Sequence, residues 1–234
     1  MVLSGAERAR LCREKKKKAG LGEIMKEKDR KRKQIQSAHW SRKQLSLFTA
    51  HIWANSTTYP LVIVSNNISH DKYTVATCLE RILTRIQILI PSLQELVIFS
   101  DGSASQFKQR FLFKNVSFLA DKFKLNLSWN FFASSHDGIG GSVKRMIYQD
   151  VMSGKRCTNA NDFTCLIQAR NTPIIIEELS TSDIEDAVKN LKLLFENVKA
   201  VPNIQKLHSM TVLKTNEIEC KVYSNSTEKT VFHF

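Results

Sequence analysis

Between residues 44 and 152 the apolar residues change period repeatedly, from two to three-or-four and back, and this order limits the fold more than any other feature of the chain. Residues 44–53 (QLSLFTAHIW) alternate as a strand does, and residues 59–65 (YPLVIVS) form a second run rich in β-branched side chains. Together they predict a hairpin. Residues 70–90 then repeat Val75, Cys78, Leu79, Ile82, Leu83, Ile86 and Ile90 at helical spacing, with Ser69 as the expected cap and Pro91 as the stop. Residues 96–99 (LVIF) read as a short buried strand closed by Ser100-Asp101-Gly102. A second helix is expected over 105–124, with Phe107, Phe111, Phe118, Leu119 and Phe123 inward and Lys108, Arg110, Lys114 and Lys122 outward. Residues 127–132 (LSWNFF) give a further strand, and residues 142–152 a further helix after Gly140-Gly141. The order is strand, strand, helix, strand, helix, strand, helix, which predicts an α/β fold.

The C-terminal third reads less sharply. A loop is expected over 154–161, a short helix or strand over 162–169, a strand over 173–177 (PIIIE), and a helix over 180–198 with Ser182, Asp183, Glu185 and Asp186 at its start. Residues 206–214 and 217–223 suggest a terminal hairpin. The expected organisation is a basic arm over 1–36, a domain over 37–153 and an α/β extension over 154–234.

Charge is concentrated at one end: residues 1–36 carry +8 of the chain's +13. That arm has no aromatic residue and too little apolar surface for a core, so it is expected to be helical or disordered. Lys15, Lys16, Lys17, Lys18, Lys31, Arg32 and Lys33 suit nucleic-acid phosphate or nuclear import, or simply a solvated tail. Lys108, Arg110, Lys144 and Arg145 are the corresponding candidates in the body of the chain. The sequence has no long apolar span, no signal-peptide pattern and no C-x-x-C pair among its five cysteines. An intracellular protein, nuclear or cytoplasmic, is expected, with no membrane partner, disulfide framework or zinc knuckle. The absence of G-x-S-x-G, G-x-x-x-x-G-K-[ST] and G-x-G-x-x-G argues against hydrolase, kinase and dinucleotide chemistry.

Asp101 is the first candidate for chemistry. A carboxylate directly after a buried strand lies at the carboxyl edge of a sheet, where α/β folds place ligands. Asp137 follows the next strand beside Gly138, Gly140 and Gly141, and two such acids can share Mg²⁺, a hard cation that takes oxygen ligands. Asp-Gly is equally an ordinary turn pair. His70 and His136 stand near the same expected edge.

The wording around these acids is specific. Residues 99–108 (FSDGSASQFK), 127–132 (LSWNFF) and 137–145 (DGIGGSVKR), with 36–40 (QSAHW) and 70–73 (HDKY), resemble a group of transposon-derived, RNase H-like (DDE-type) proteins of animal genomes. The resemblance spans roughly residues 36–226. It implies an RNase H-like mixed sheet flanked by helices, an ancestral Mg²⁺-dependent phosphodiester cleavage or strand transfer, Asp101 as metal ligand and Asp137 as a second. Two departures accompany it. In such relatives a strand bearing an Asp in a DFAEN-like string precedes QSAHW, whereas here residues 28–33 (KDRKRK) run straight into it; and a Gly-Lys-Gly-like spacer is absent between His136 and Asp137. The first central strand and its acid are therefore expected to be missing, with Glu177, Glu178, Asp183, Glu185 and Asp186 as the acids available in exchange. The expectation is a catalytically degenerate domain that keeps DNA binding. A non-enzymatic nucleic-acid-binding or nuclear interaction protein is the alternative, and an active Mg²⁺-dependent nuclease the third reading.

Overall fold

The structure is a computed structural model that describes residues 44–54, 56–104, 106–132 and 138–234, with Glu7, Glu14, Glu27 and Arg30 of the basic arm. It is mixed α/β, with eight strands in two mixed sheets and five α-helices among the described residues. The first sheet begins with β1 (Ser46–Ala54) and β2 (Thr57–Ser65), an antiparallel hairpin whose tight turn holds Ser56 at φ 60°. Leu61, Ile63, Val62 and Val64 are all buried, which explains the unbroken apolar run in β2: both of its faces are covered. One face meets α1 (Lys72–Leu89) and its neighbours, and the other meets α3 (Gly138–Met152) and α4 (Ala160–Gln168) through Val143, Ile147, Val151, Phe163 and Ile167. β5 (Ile175–Leu179) then adds parallel to β2.

The second sheet has the order β3-β4-β6-β7-β8. β3 (Glu95–Asp101) and β4 (Asn126–Phe132) run parallel on either side of the α2 crossover (Arg110–Phe123). β6 (Ser209–Lys214), β7 (Glu217–Lys221) and β8 (Thr230–His233) follow as an antiparallel meander. The expected terminal hairpin is therefore present. It pairs with β4, on the side of that strand away from β3, and brings a further strand, β8, that the sequence pattern did not reveal. The C-terminal residues are woven into both sheets, because β5 joins the first and β6–β8 join the second.

Helix boundaries shift for identifiable reasons. α1 is capped by Asp71, whose carboxylate accepts from the backbone N–H groups of Tyr73 (3.0 Å) and Thr74 (2.9 Å), and not by Ser69. α2 starts at Arg110 because the amides of Gln106, Phe107 and Lys108 all donate to the Ser103 carbonyl, which holds these three residues in a turn ahead of the helix. Phe118, expected inward, is exposed on α2. α5 (Thr181–Leu194) carries the anticipated start as a capping box: Ser180 accepts from Asp183 N–H, and the Asp183 carboxylate accepts from Ser180 N–H.

A buried ion group fixes the end of α3. Asp150 is only 5% exposed; Arg170 Nε (3.0 Å) and Lys155 Nζ (2.8 Å) donate to its two oxygens, and Arg170 also donates to the Met146 carbonyl. Gly154, at φ +94°, turns the chain so that Lys155 folds back onto Asp150, a conformation that side chains with a Cβ rarely adopt. The Arg170 hydrogen bond, ahead of the opposing effect of burial, holds the Asp150 carboxyl below its usual range. This contribution is complete above the unfolded carboxyl pKa near 4 and is lost as pH falls through the lowered folded value. Arg170→Ala leaves a buried carboxylate short of its partner and is expected to cost about 3 kcal/mol in urea unfolding at pH 7, with a smaller difference from the parent at pH 3.

Candidate functional site

Asp101 is the last residue of β3, and its surroundings are built by hydrogen bonds that begin in the strand. Trp129 Nε1 donates to Ser100 Oγ (2.8 Å), and Ser100 Oγ donates to the Asp101 carbonyl (2.8 Å). Gly102 N–H donates to the Phe132 carbonyl (3.1 Å), carrying the β3–β4 pairing one residue past the strand. The Asp101 carboxylate accepts from Ser103 N–H (3.2 Å), an Asx-type turn that sends the chain into the turn ahead of α2. Asp101 is half-buried at the carboxyl edge of the sheet, where the sequence placed it.

The turn delivers two side chains inward. Phe107 lies 6.2 Å from Phe48 of β1, edge-on at 72°, and 5.8 Å from Trp129 of β4, so it touches both sheets. Trp129 continues to Phe131 and Phe131 to Phe113, each at 5.8 Å and nearly parallel. This aromatic row crosses between sheets that share no hydrogen-bonded strand pair among the described residues. β1 pairs only with β2, and β3 only with β4, so each keeps one unpaired edge there.

Lys108 is the second inward side chain, and here the outward placement is corrected: the residue is 4% exposed. Its Nζ donates to the Gln205 carbonyl (3.0 Å) and lies 5.6 Å over the Phe131 ring, while Gln205 Nε2 donates back to the Lys108 carbonyl (3.1 Å). Helical periodicity put Lys108 on an outer face because it treated 105–109 as helix; the turn rotates it inward. A Cβ on Gly102 would sit 3.1 Å from Lys108 Cε, so the glycine makes room for the lysine stem. Burial pushes the Lys108 amine below its ordinary pKa. Gln205 and the Phe107 bridge were not legible as site residues; the adjacency of Asp-Gly and Phe-Lys within one short motif is the signal that could have found them.

The other candidates are dispersed. Arg110 is exposed with its guanidinium 4.8 Å over Phe111, and Lys144 and Arg145 are exposed on α3. His70 is exposed just before the α1 cap. Asp137, His136, Lys15, Lys16, Lys17, Lys18, Lys31, Arg32 and Lys33 lie outside the described residues. Among the acids considered as replacements, Glu177 accepts from Arg85 Nε (2.7 Å), Asp183 pairs with Arg81 (2.6 Å) besides capping α5, Glu178 accepts from Asn161 (3.3 Å), and Asp186 accepts from Lys189 (2.9 Å). Among the described residues no three His, Cys, Asp or Glu side chains gather as a metal-binding group. No helix there is long and apolar enough to cross a membrane.

Fold and site thus define a mixed α/β domain with an aromatic seam between two sheets and a tightly built Asp-Gly turn beside it. The family model described as "Domain of unknown function (DUF8701)" matches residues 30–224, and the chain belongs to that family. No curated protein and no solved structure matches it.

Lys108→Met gives up the bond to the Gln205 carbonyl but removes a desolvated ammonium, and is expected to change stability at pH 7 by no more than about 1 kcal/mol. Because the folded-state amine pKa is lowered, the parent gains stability as pH rises from that value towards the unfolded lysine pKa near 10.4. Denaturant titrations from pH 7 to 10 should show a smaller gain in the Met variant.

Proposed function

We propose that this chain is a transposase-derived RNase H-like domain that has lost strand-transfer chemistry and associates with DNA through its basic residues. One observation carries the reading: Asp101 ends β3, β3 and β4 run parallel around the α2 crossover, and among the described residues β1 and β3 each keep an unpaired edge, as they would if an RNase H-like sheet lacked its first strand. The strand, strand, helix, strand, helix, strand, helix order agrees with it. So does the sequence likeness around Asp101.

Loss of Mg²⁺ chemistry is supported by the missing first acid, since residues 28–33 (KDRKRK) stand where the resembled group carries a strand with an Asp. Two-metal phosphoryl transfer needs several oxygen ligands to hold ions about 3.5–4 Å apart. Asp101 is not joined by two further metal-binding side chains among the described residues, and one of its oxygens accepts from the Ser103 amide. Asp137 lies outside the described residues, and of the acids available in exchange Glu177 is engaged with Arg85, Asp183 with Arg81 and the α5 cap, and Asp186 with Lys189. This also favours the second reading, a non-enzymatic nucleic-acid-binding or nuclear interaction protein in which Asp101 is a turn residue. In both readings cations, not carboxylates, meet the partner: the arm lysines together with the exposed Arg110, Lys144 and Arg145.

Two assays on the full chain test this. Labelled duplex DNA incubated with Mg²⁺ or Mn²⁺ should show no nicking above that of Asp101→Asn; metal-dependent nicking that Asp101→Asn abolishes would overturn the degenerate reading. Duplex affinity should fall with salt at a log–log slope of about −0.9 per phosphate neutralised. Replacing Lys15, Lys16, Lys17 and Lys18 by Gln should flatten that slope, and an unchanged slope removes the arm as the binding element.

A further inference from the structure

The smallest apolar cluster lies where the N-termini of α1 and α2 meet the C-terminus of α5. Its rings are Tyr73, Phe111 and Phe195, the last buried and the other two partly open to solvent. Phe195 stands 5.5 Å from Tyr73 at 42° and 5.5 Å from Phe111 at 57°, so the rings form inclined walls and not a stack. The Lys72 ammonium lies between these walls, 3.8 Å from the Phe111 centroid, 5.1 Å from Tyr73 and 5.7 Å from Phe195. All three distances fall within the ~6 Å over which a ring face attracts a cation.

Ordinary helix energetics do not put this cation here. Lys72 is the first residue of α1, the end at which the helix dipole disfavours positive charge. Its neighbour Asp71 has its carboxylate turned onto the Tyr73 and Thr74 amides as a cap, and no carboxylate forms an ion pair with Lys72 among the described residues. Among the described residues the rings hold the ammonium without a counter-ion. Phe111 carries a second cation, Arg110, at 4.8 Å.

We propose that Tyr73, Phe111 and Phe195 form an aromatic cage for a methylated lysine side chain of a partner protein, with Lys72 occupying it as a tethered competitor. The space already admits a lysyl stem ending in an ammonium, which sets the ligand class. Methylation keeps the charge while weakening hydration, so a methylated ammonium leaves water more readily and covers more of each ring face. Lys72, fixed beside the cage, competes intramolecularly with any incoming ammonium. The inference is independent of any nucleic-acid role.

The test uses Lys72→Ala, which keeps the Asp71 cap and places a good helix former at the first helical position. Calorimetric titration of this variant with Nε-trimethyllysine should saturate with at least tenfold tighter binding than the parent chain shows. Unmethylated lysine should bind at least tenfold more weakly, and adding Phe111→Leu should abolish binding while the far-ultraviolet circular dichroism is unchanged. Absence of saturable binding to folded Lys72→Ala, binding indifferent to Phe111→Leu, or choline binding as tightly as trimethyllysine would each overturn the assignment. In the parent chain, the Lys72 ε-methylene protons should be shifted upfield by ring currents in NMR spectra; resonances at the exposed-lysine position would overturn the tethered occupant.

Discussion

The aromatic row from Phe48 through Phe107, Trp129 and Phe131 to Phe113 is the contact on which the rest of the domain depends. Backbone ladders hold each sheet, but none crosses between them among the described residues. Side-chain packing does that work. The main apolar core draws on both sheets, with Leu61 and Ile63 from one, Leu127, Trp129, Met210 and Ile218 from the other, and α1 and α2 lying over them. Packing of this kind is dense and sensitive to shape, whereas a strand ladder is directional and tolerant of side chains. A domain joined by packing therefore needs its bridging ring held in place, and the turn that starts at Asp101 holds Phe107.

This gives the Asp-Gly-Ser motif a structural reason to exist beside any ancestral chemistry. Asp101 sets the turn, Ser100 satisfies the Trp129 indole, Gly102 leaves room for the Lys108 stem, and Lys108 and Gln205 close the loop against the C-terminal residues. A motif that presents a carboxylate at a sheet edge can persist because its hydrogen bonds organise the core beneath it, whatever chemistry the carboxylate serves.

Local pattern was legible, long-range pairing was not. The period changes from Ser46 to Met152 yielded the first seven elements in order, since each period reports which face of one element is buried. The α/β character followed from them. That β6 would join β4, or that the two sheets would share no strand among the described residues, depends on partners far apart in sequence and leaves no periodic trace. Lys108 was misplaced because a long amphipathic stem suits either side of a helix boundary. Asp101 was found at a strand end because the apolar run 96–99 and Gly102 both mark it, although that run, expected to be buried, leaves Val97 and Phe99 exposed; whether Asp101 has acidic neighbours is decided by the tertiary fold, and Asp137 falls outside the described residues.

The junction of β4 with β6 rests on three registered pairs, Ser128↔Thr211, Trp129↔Met210 and Asn130↔Ser209, and β2 likewise waits for β5 to cover its second edge. Both pairings join segments roughly 80 to 110 residues apart in sequence, so loop closure must precede the contacts that reward it. During synthesis, Trp129 and Phe131 emerge from the ribosome after β3, which pairs with one edge of their strand, but well before β6, which covers the other. The nascent chain thus carries one uncovered edge of β4 until β6 (Ser209–Lys214) appears, so late closure of that edge is a property of its topology.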